Sequence, residues 1–371
     1  MKITHVVRQF YPSIGGLEDY VQNLAIEQMA SGHEVSITTL NTDFQNDKTL
    51  VPYETYKGLP ITRVPWRFST RYPICQLDID ALNEADVVNV HAVDYLVDYL
   101  SFMKRLGRLK AKLVLTTHGG FFHTAKNQRL KQLFFKTVTR LTLAKVDAVL
   151  CCSANDLSTF KPISTNSHLV NNGVRLHKFG KGADVAKTND MVYLGRFSSN
   201  KRLPWLIQAY AQLKQPMGVL KIIGRRKTGD TAALESLIAQ LDCADRVQLI
   251  VDVEDSVILA HLQAARFTVS ASEYEGFGLS VIELMSYGLV PFLSDETPSF
   301  AEFTQVSGVG ELFTRTFEDF SAQYERLISR WTPASAQHAQ AYTEQFAWTA
   351  VSEEIFHVYE SAVDYRVCVN R

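Results

Sequence analysis

The segment 270–287, SASEYEGFGLSVIELMSY, sets two carboxylates, Glu275 and Glu283, with seven residues between them, around a turn that contains two glycines. A strand is expected to end near Ala271 and a helix to open past Gly278. Glu283 then falls in the second helical turn and leans back toward the helix start, because Cα–Cβ bonds tilt that way. A carboxylate so placed can accept hydrogen bonds from a ribose diol. The backbone N–H groups of Phe277, Gly278, Leu279 and Ser280 face an anion. Leu279, Ile282 and Met285 supply a core-facing stripe. Two solvated glutamates would be the plainer account, but so apolar a helix has little reason to carry Glu283 without a partner.

Three further segments carry charge or glycine where a strand should end. GRFSSNK places Arg196 and Lys201 five residues apart on a loop that opens a helix. Arginine can grip phosphate oxygens bidentately and lysine adds a point charge, so the pair suits a diphosphate. Cations at a helix start oppose the macrodipole, which is unfavourable unless an anion sits there. Gly15 and Gly16 follow the first strand and let backbone amides approach an anion, although a tight strand–helix turn explains them equally. His118, followed by Gly119 and Gly120, ends a strand and can present its imidazole or its carbonyl.

These residues need a scaffold that lines up strand ends. Apolar, β-branched runs at 3–7, 34–40, 86–90, 113–117, 148–152, 191–194, 220–223, 247–251, 267–271 and 290–293 alternate with helical patterns such as 17–29, 203–213, 231–241, 255–265 and 279–287. Such alternation predicts an α/β protein with parallel sheets covered on both faces. Ten strands are many for one sheet, so two doubly wound, Rossmann-like domains facing across a cleft are expected. The polar stretch 171–190 marks the boundary, giving domains at 1–175 and 176–345 and a C-terminal helical segment, 346–371. Ligands of such sheets bind beyond the carboxyl ends of the strands.

Composition narrows the class. The chain has 371 residues, 46% hydrophobic and 21% charged, with 38 Lys and Arg against 39 Asp and Glu. That balance argues against a globally basic nucleic-acid binder. No run approaches the roughly 18 apolar residues of a membrane span. Five cysteines without repeated spacing do not make a disulfide framework.

Gly15-Gly16, His118-Gly119-Gly120, GRFSSNKR and EGFGLSVIE, in this order and spacing, resemble the retaining GT-B glycosyltransferases of family 4. The opening HVVRQFYPSIGG, THGGFFHT and TRYPI are similar to members that move mannose from GDP-mannose onto a polyprenyl-diphosphate oligosaccharide in exopolysaccharide assembly. The resemblance implies that Gly16 sits against the distal phosphate and that His118 contacts the donor sugar. It implies that Arg196 and Lys201 stabilise the leaving diphosphate, Glu275 meets hexose hydroxyls and Glu283 meets the ribose. It also implies that the base lies near Val251–Val253 and that the C-terminal helix, 346–371, crosses back onto the N-terminal domain. No metal and no other cofactor is expected, since two cations and helix amides can do the work of Mg²⁺. The implied reaction is a front-face displacement, with a double displacement on Glu275 as the second reading. A UDP-sugar donor, or a sugar-nucleotide epimerase of the same fold, are the alternative functions.

One stretch fits a lipid-linked acceptor. Residues 101–145 hold eleven cations and no Asp or Glu. Lys126, Arg129, Lys131, Lys136 and Arg140, interleaved with apolar residues, suit an anionic membrane surface. The expected location is cytoplasmic, peripheral on the inner face of the membrane. Nucleic acid is not expected as a partner, because no recognition motif accompanies the patch. Asp94, Tyr95, Phe121, Phe122 and His123 are candidates for the acceptor site, since they follow N-terminal strands.

Overall fold

The computed structural model describes residues 1–13, 15–44, 46–70, 72–118, 133–181, 185–226 and 231–369. It divides into two compact units, Met1–Gly173 with Trp348–Arg371, and Val174–Ala347.

The first unit is built on an eight-stranded sheet in the order Ser167–Leu169, Ala148–Cys151, Lys112–Thr116, Val87–His91, Lys2–Val6, Glu34–Leu40, Leu59–Val64 and Tyr53–Tyr56. All neighbours are parallel except the last pair. Every residue of Val87–His91, Lys112–Thr116 and Ala148–Cys151 is buried. Helices cover both faces of such strands, which explains their near-continuous apolar runs. The chain starts at Lys2–Val6, proceeds outward on one side and then returns to Val87–His91 on the other. The order therefore reverses between these two strands, where α/β sheets bind ligands.

Helix Gly16–Ala30 buries Tyr20, Val21, Leu24, Ala25 and Gln28, a three-to-four-residue spacing that puts one stripe on the sheet. The C-terminal helix Trp348–Val369 adds Trp348, Val351, Ile355 and Tyr359 to the same core. Asn89 Nδ2 donates to the Tyr359 hydroxyl at 2.6 Å, so the helix is tied to the sheet by a polar contact as well as by burial.

The second unit carries six parallel strands in the order Val247–Val251, Leu220–Gly224, Thr188–Leu194, Ala265–Ser270, Val290–Ser294 and Glu311–Phe313. Here the reversal falls between Thr188–Leu194 and Ala265–Ser270. The two loops that leave these strands, which carry GRFSSNK and SEYEGFG, thus start side by side.

Candidate active site

Adjacency at the reversal explains why residues 74 positions apart meet. Lys201 ends the short 3₁₀ turn Ser199–Lys201, and its Nζ forms an ion pair with Glu275 Oε1. Only 13% and 14% of the two side chains are exposed. Ser272 Oγ donates to the same carboxylate oxygen at 2.8 Å, and Ser270 and Ser272 hydroxyls are 2.9 Å apart. The loop is pinned from both sides. Glu273 N donates to Asn200 O at 2.9 Å, Asn200 Nδ2 donates to Tyr274 O at 3.0 Å, and Ser294 Oγ donates to Ser272 O at 2.6 Å. Beside it Arg202 and Arg315 both pair with Glu273, and Arg315 also pairs with Glu296. The result is a rigid cradle with a lysine inside it.

Arg196 is exposed and makes no ion pair among the described residues. Its carbonyl accepts from the Tyr193 hydroxyl at 2.7 Å. Burial holds the Tyr193 phenol well above its usual range, the nearby Glu275 carboxylate adds to this, and Arg196 opposes it. The tyrosine thus lies in the fields of both groups.

The EGFG turn is fixed by packing. Phe277 is buried edge-on against Phe303 and Phe346. Gly278 has φ +100, and a Cβ there would come within 3.0 Å of Phe300 and 3.1 Å of Phe303. A side chain is excluded by both conformation and space. Helix Leu279–Met285 buries Val281, Ile282, Leu284 and Met285, whereas Leu279 is 41% exposed. The stripe therefore begins two residues later than the sequence pattern suggests, because the left-handed Gly278 turns the first helical residue outward. Glu283 is largely buried and is not alone, since Lys178 Nζ lies 3.4 Å from its Oε1. That cation comes from the polar stretch read as a boundary, which gave no sign of a role in the site.

In the first unit Gly15 is the N-cap of Gly16–Ala30, with an extended backbone, and Gly16 is open on its Cβ side. Glu18 and Asp19 occupy the first turn, and a Cβ on Gly15 would collide with the Glu18 carboxylate. Burial raises the pKa of Glu18 above its usual range, with Asp19 adding to the effect. These acids already complement the helix dipole, a feature that the reading of Gly15 and Gly16 as an anion site did not include. His118 follows strand Lys112–Thr116, half-buried, with its Nε2 3.0 Å from His91 Nδ1.

Comparison with known proteins places these features. A family model described as glycosyl transferases group 1 matches residues 175–345, and one described as Glycosyltransferase Family 4 matches 14–178. A GDP-mannose:cellobiosyl-diphosphopolyprenol α-mannosyltransferase of Xanthomonas campestris is 37% identical, over 98% of this chain and 97% of its own. The chain is a family 4 glycosyltransferase. The Komagataeibacter xylinus protein of the same name is 30% identical to this glycosyltransferase over 98% of the chain and 94% of its own. Among solved structures, Anabaena HepE in complex with UDP superposes with a TM-score of 0.72 at 17% identity, covering 97% of this chain and all of that one. Sucrose-phosphate synthase from Thermosynechococcus elongatus gives 0.68 at 19%, covering 97% and 99%. Both establish the GT-B fold of the glycosyltransferase.

The remaining candidates of the glycosyltransferase have mixed placements. Val251 ends its strand half-buried, against the core of the second unit. Asp94 is the N-cap of helix Tyr95–Arg105 and accepts from Leu96 N at 2.9 Å, while burial pushes its carboxyl up to about 6. Tyr95 donates to Cys75 O at 3.0 Å and stacks on Tyr99. Both have local structural work in the fold. Phe121, Phe122, His123, Lys126, Arg129 and Lys131 lie outside the described residues. Lys136 and Arg140 are exposed on the helical segment Phe135–Leu143, as are Phe134, Val138 and Leu141. Arg105 Nη2 donates to Leu141 O at 3.1 Å, which joins this segment to helix Tyr95–Arg105 and its exposed Phe102 and neighbouring Leu106. Lys104 and Lys112 pair with Asp147, at 2.5 and 3.8 Å. A stretch free of acids along the chain is thus partly neutralised in space, and these two cations do not belong to the patch. No helix among the described residues is long and apolar enough to cross a membrane.

Proposed function

We propose that this glycosyltransferase moves a mannosyl group from GDP-mannose to a polyprenyl-diphosphate-linked oligosaccharide, with retention of anomeric configuration and without a divalent metal. The observation that carries the reading is the Lys201–Glu275 pair, a lysine and a carboxylate held in a rigid loop at the sheet reversal. The full-length similarity to the two α-mannosyltransferases supports the choice of donor and acceptor.

The chemistry follows from the groups. Arg196 and Lys201 bind the donor diphosphate and neutralise the charge that grows on it as the sugar leaves. The acceptor hydroxyl attacks C1 on the face from which the diphosphate departs. The C1–O bond to the phosphate breaks, the acceptor proton passes to a phosphate oxygen, and GDP carries it away. Glu275 contacts the hexose hydroxyls, His118 the donor sugar and Glu283 the ribose. Glu275 Oε1 already accepts from Lys201 and Ser272, which lowers its nucleophilicity and favours the front-face route over a covalent intermediate on this residue.

A thermal-shift panel tests the donor. A ligand that binds only the folded chain raises stability according to its affinity. GDP and GDP-mannose are expected to raise the melting temperature more than UDP, UDP-glucose or ADP, and Glu283→Ala is expected to remove most of that rise. The loss of a hydrogen bond to a charged group corresponds to roughly tenfold to hundredfold weaker binding. A larger shift with UDP-glucose would reject the proposed donor.

The apolar and basic residues around Phe102, Phe134, Arg105, Lys136 and Arg140 suit the surface of an anionic membrane, where a lipid-linked acceptor resides. At about 1 kcal/mol per cation near lipid, replacing Arg105, Lys136 and Arg140 by Ser should weaken binding to phosphatidylglycerol vesicles by roughly tenfold to a hundredfold. Unaltered co-sedimentation would remove this surface from the account.

A further inference from the structure

Three histidines far apart in sequence form a single file across the middle of the first sheet. His5 lies in Lys2–Val6, His91 ends Val87–His91, and His118 lies two residues past Lys112–Thr116. These three strands are neighbours at the reversal. Gln28 Oε1 is 2.8 Å from His5 Nε2, His5 Nδ1 is 2.9 Å from His91 Nε2, and His91 Nδ1 is 3.0 Å from His118 Nε2. Each separation is that of a hydrogen bond. Tyr20 stands edge-on to the last two rings, with centroids 6.0 Å from His91 and 4.7 Å from His118.

We propose that Gln28, His5 and His91 are positioning residues for His118, a file of hydrogen bonds that fixes which nitrogen of its imidazole carries the proton. A neutral imidazole has one donor and one acceptor. A carboxamide oxygen only accepts, so His5 must donate from Nε2 and accept at Nδ1. His91 must then donate from Nε2, and so must His118. The direction set at Gln28 is passed through two rings and leaves His118 Nδ1 as a bare acceptor. Turning the Gln28 amide would reverse all three rings together. With its oxygen presented to His5, Gln28 has its amide N–H left for the Tyr359 hydroxyl, where it opposes the rise that burial gives that phenol.

A protonated His5 or His91 would turn an Nδ1–H onto the N–H of the next ring, so the intact file excludes charge on these two rings, whereas Nδ1 of His118 faces no ring of the file. Burial acts in the same direction, pushing His5 down to about 4, His118 to about 3 and His91 well below the usual range, with the neighbouring imidazoles adding to the effect on His91. Among the described residues no group of three or more His, Cys, Asp or Glu is arranged to hold a metal ion, these three rings included. Two imidazoles within a sheet core, His5 and His91, cost stability relative to Val or Leu, and a fixed tautomer at His118 is what they supply in return.

The effect on turnover rests on the reading of His118 as a contact of the donor sugar, whereas the tautomer does not. Nitrogen-15 spectra of the full chain labelled in histidine read the tautomer directly. Three neutral rings protonated at Nε2, unchanged between pH 6 and 8, are expected. Gln28→Met should give His118 a mixture of tautomers and lower kcat about tenfold, a scale typical of groups that orient a functional ligand, with KM for GDP-mannose unchanged. Gln28→Glu, whose carboxylate can only accept, should restore the Nε2–H form. Rings of opposite tautomer in the unaltered protein, rings all protonated at Nδ1, or a His118 signal indifferent to Gln28→Met would overturn the proposal. Full turnover in His118→Ala, with the spectra as expected, would overturn the role of His118 alone.

Discussion

Lys201→Ala is expected to lower kcat for mannosyl transfer by roughly 10²–10³, the scale for losing one fixed group that stabilises transition-state charge. The ammonium is held by Glu275 in the free chain, so it is in place before the donor arrives and its position costs little when charge develops. Removing it also leaves a mostly buried carboxylate without its cation, which destabilises the loop. Stability and catalysis are separable in the double variant Lys201→Met with Glu275→Gln, in which neither charge remains. Its melting temperature should recover toward that of the unaltered chain while turnover stays low. Recovery of turnover together with stability would show that the lysine serves the fold and not the leaving group.

Glu275→Gln is expected to be the second most damaging change. The amide keeps the size of the side chain and can keep a contact with Ser272, but it no longer balances Lys201 or offers a charged acceptor to hexose hydroxyls. The loss of one hydrogen bond to a charged acceptor corresponds to roughly tenfold to a hundredfold in kcat. Because the two residues touch, their effects should not add, and the double variant should be little slower than Lys201→Ala alone. Single-turnover rates at saturating donor read this directly. Strictly additive losses would mean that the pair does not act as a unit.

Much of the scaffold was legible because parallel strands covered on both faces are written as short, uninterrupted apolar runs. Strands Glu34–Leu40 and Val247–Val251 lie within the limits that the pattern gives. The hairpin Tyr53–Tyr56 with Leu59–Val64 was not seen, since its edge strand is half polar and its turn is Lys57-Gly58, both with positive φ. In the second unit the motifs were local, so Lys201, Glu275 and the EGFG turn could be read from consecutive residues. Their partners could not. Lys178 reaches Glu283 from 105 positions away, and Asp147 neutralises Lys104 and Lys112 from outside the basic stretch. His5 and His91 look like ordinary strand residues until sheet order sets them beside His118. Spacing along a chain shows what one element can present, whereas neighbours contributed by other strands appear only once the order of the sheet is known.

In the proposed reaction fixed cations of the protein, and not a divalent ion, carry the leaving diphosphate. Transfer of labelled mannose from GDP-mannose to a synthetic polyprenyl-diphosphate cellobioside, measured in excess EDTA with the anomeric configuration of the product read by NMR, tests it in one experiment. An undiminished rate and an α-linked mannose are expected. A rate abolished by EDTA and restored only by Mg²⁺ or Mn²⁺, or a β-linked product, would rule out this metal-free, retaining transfer.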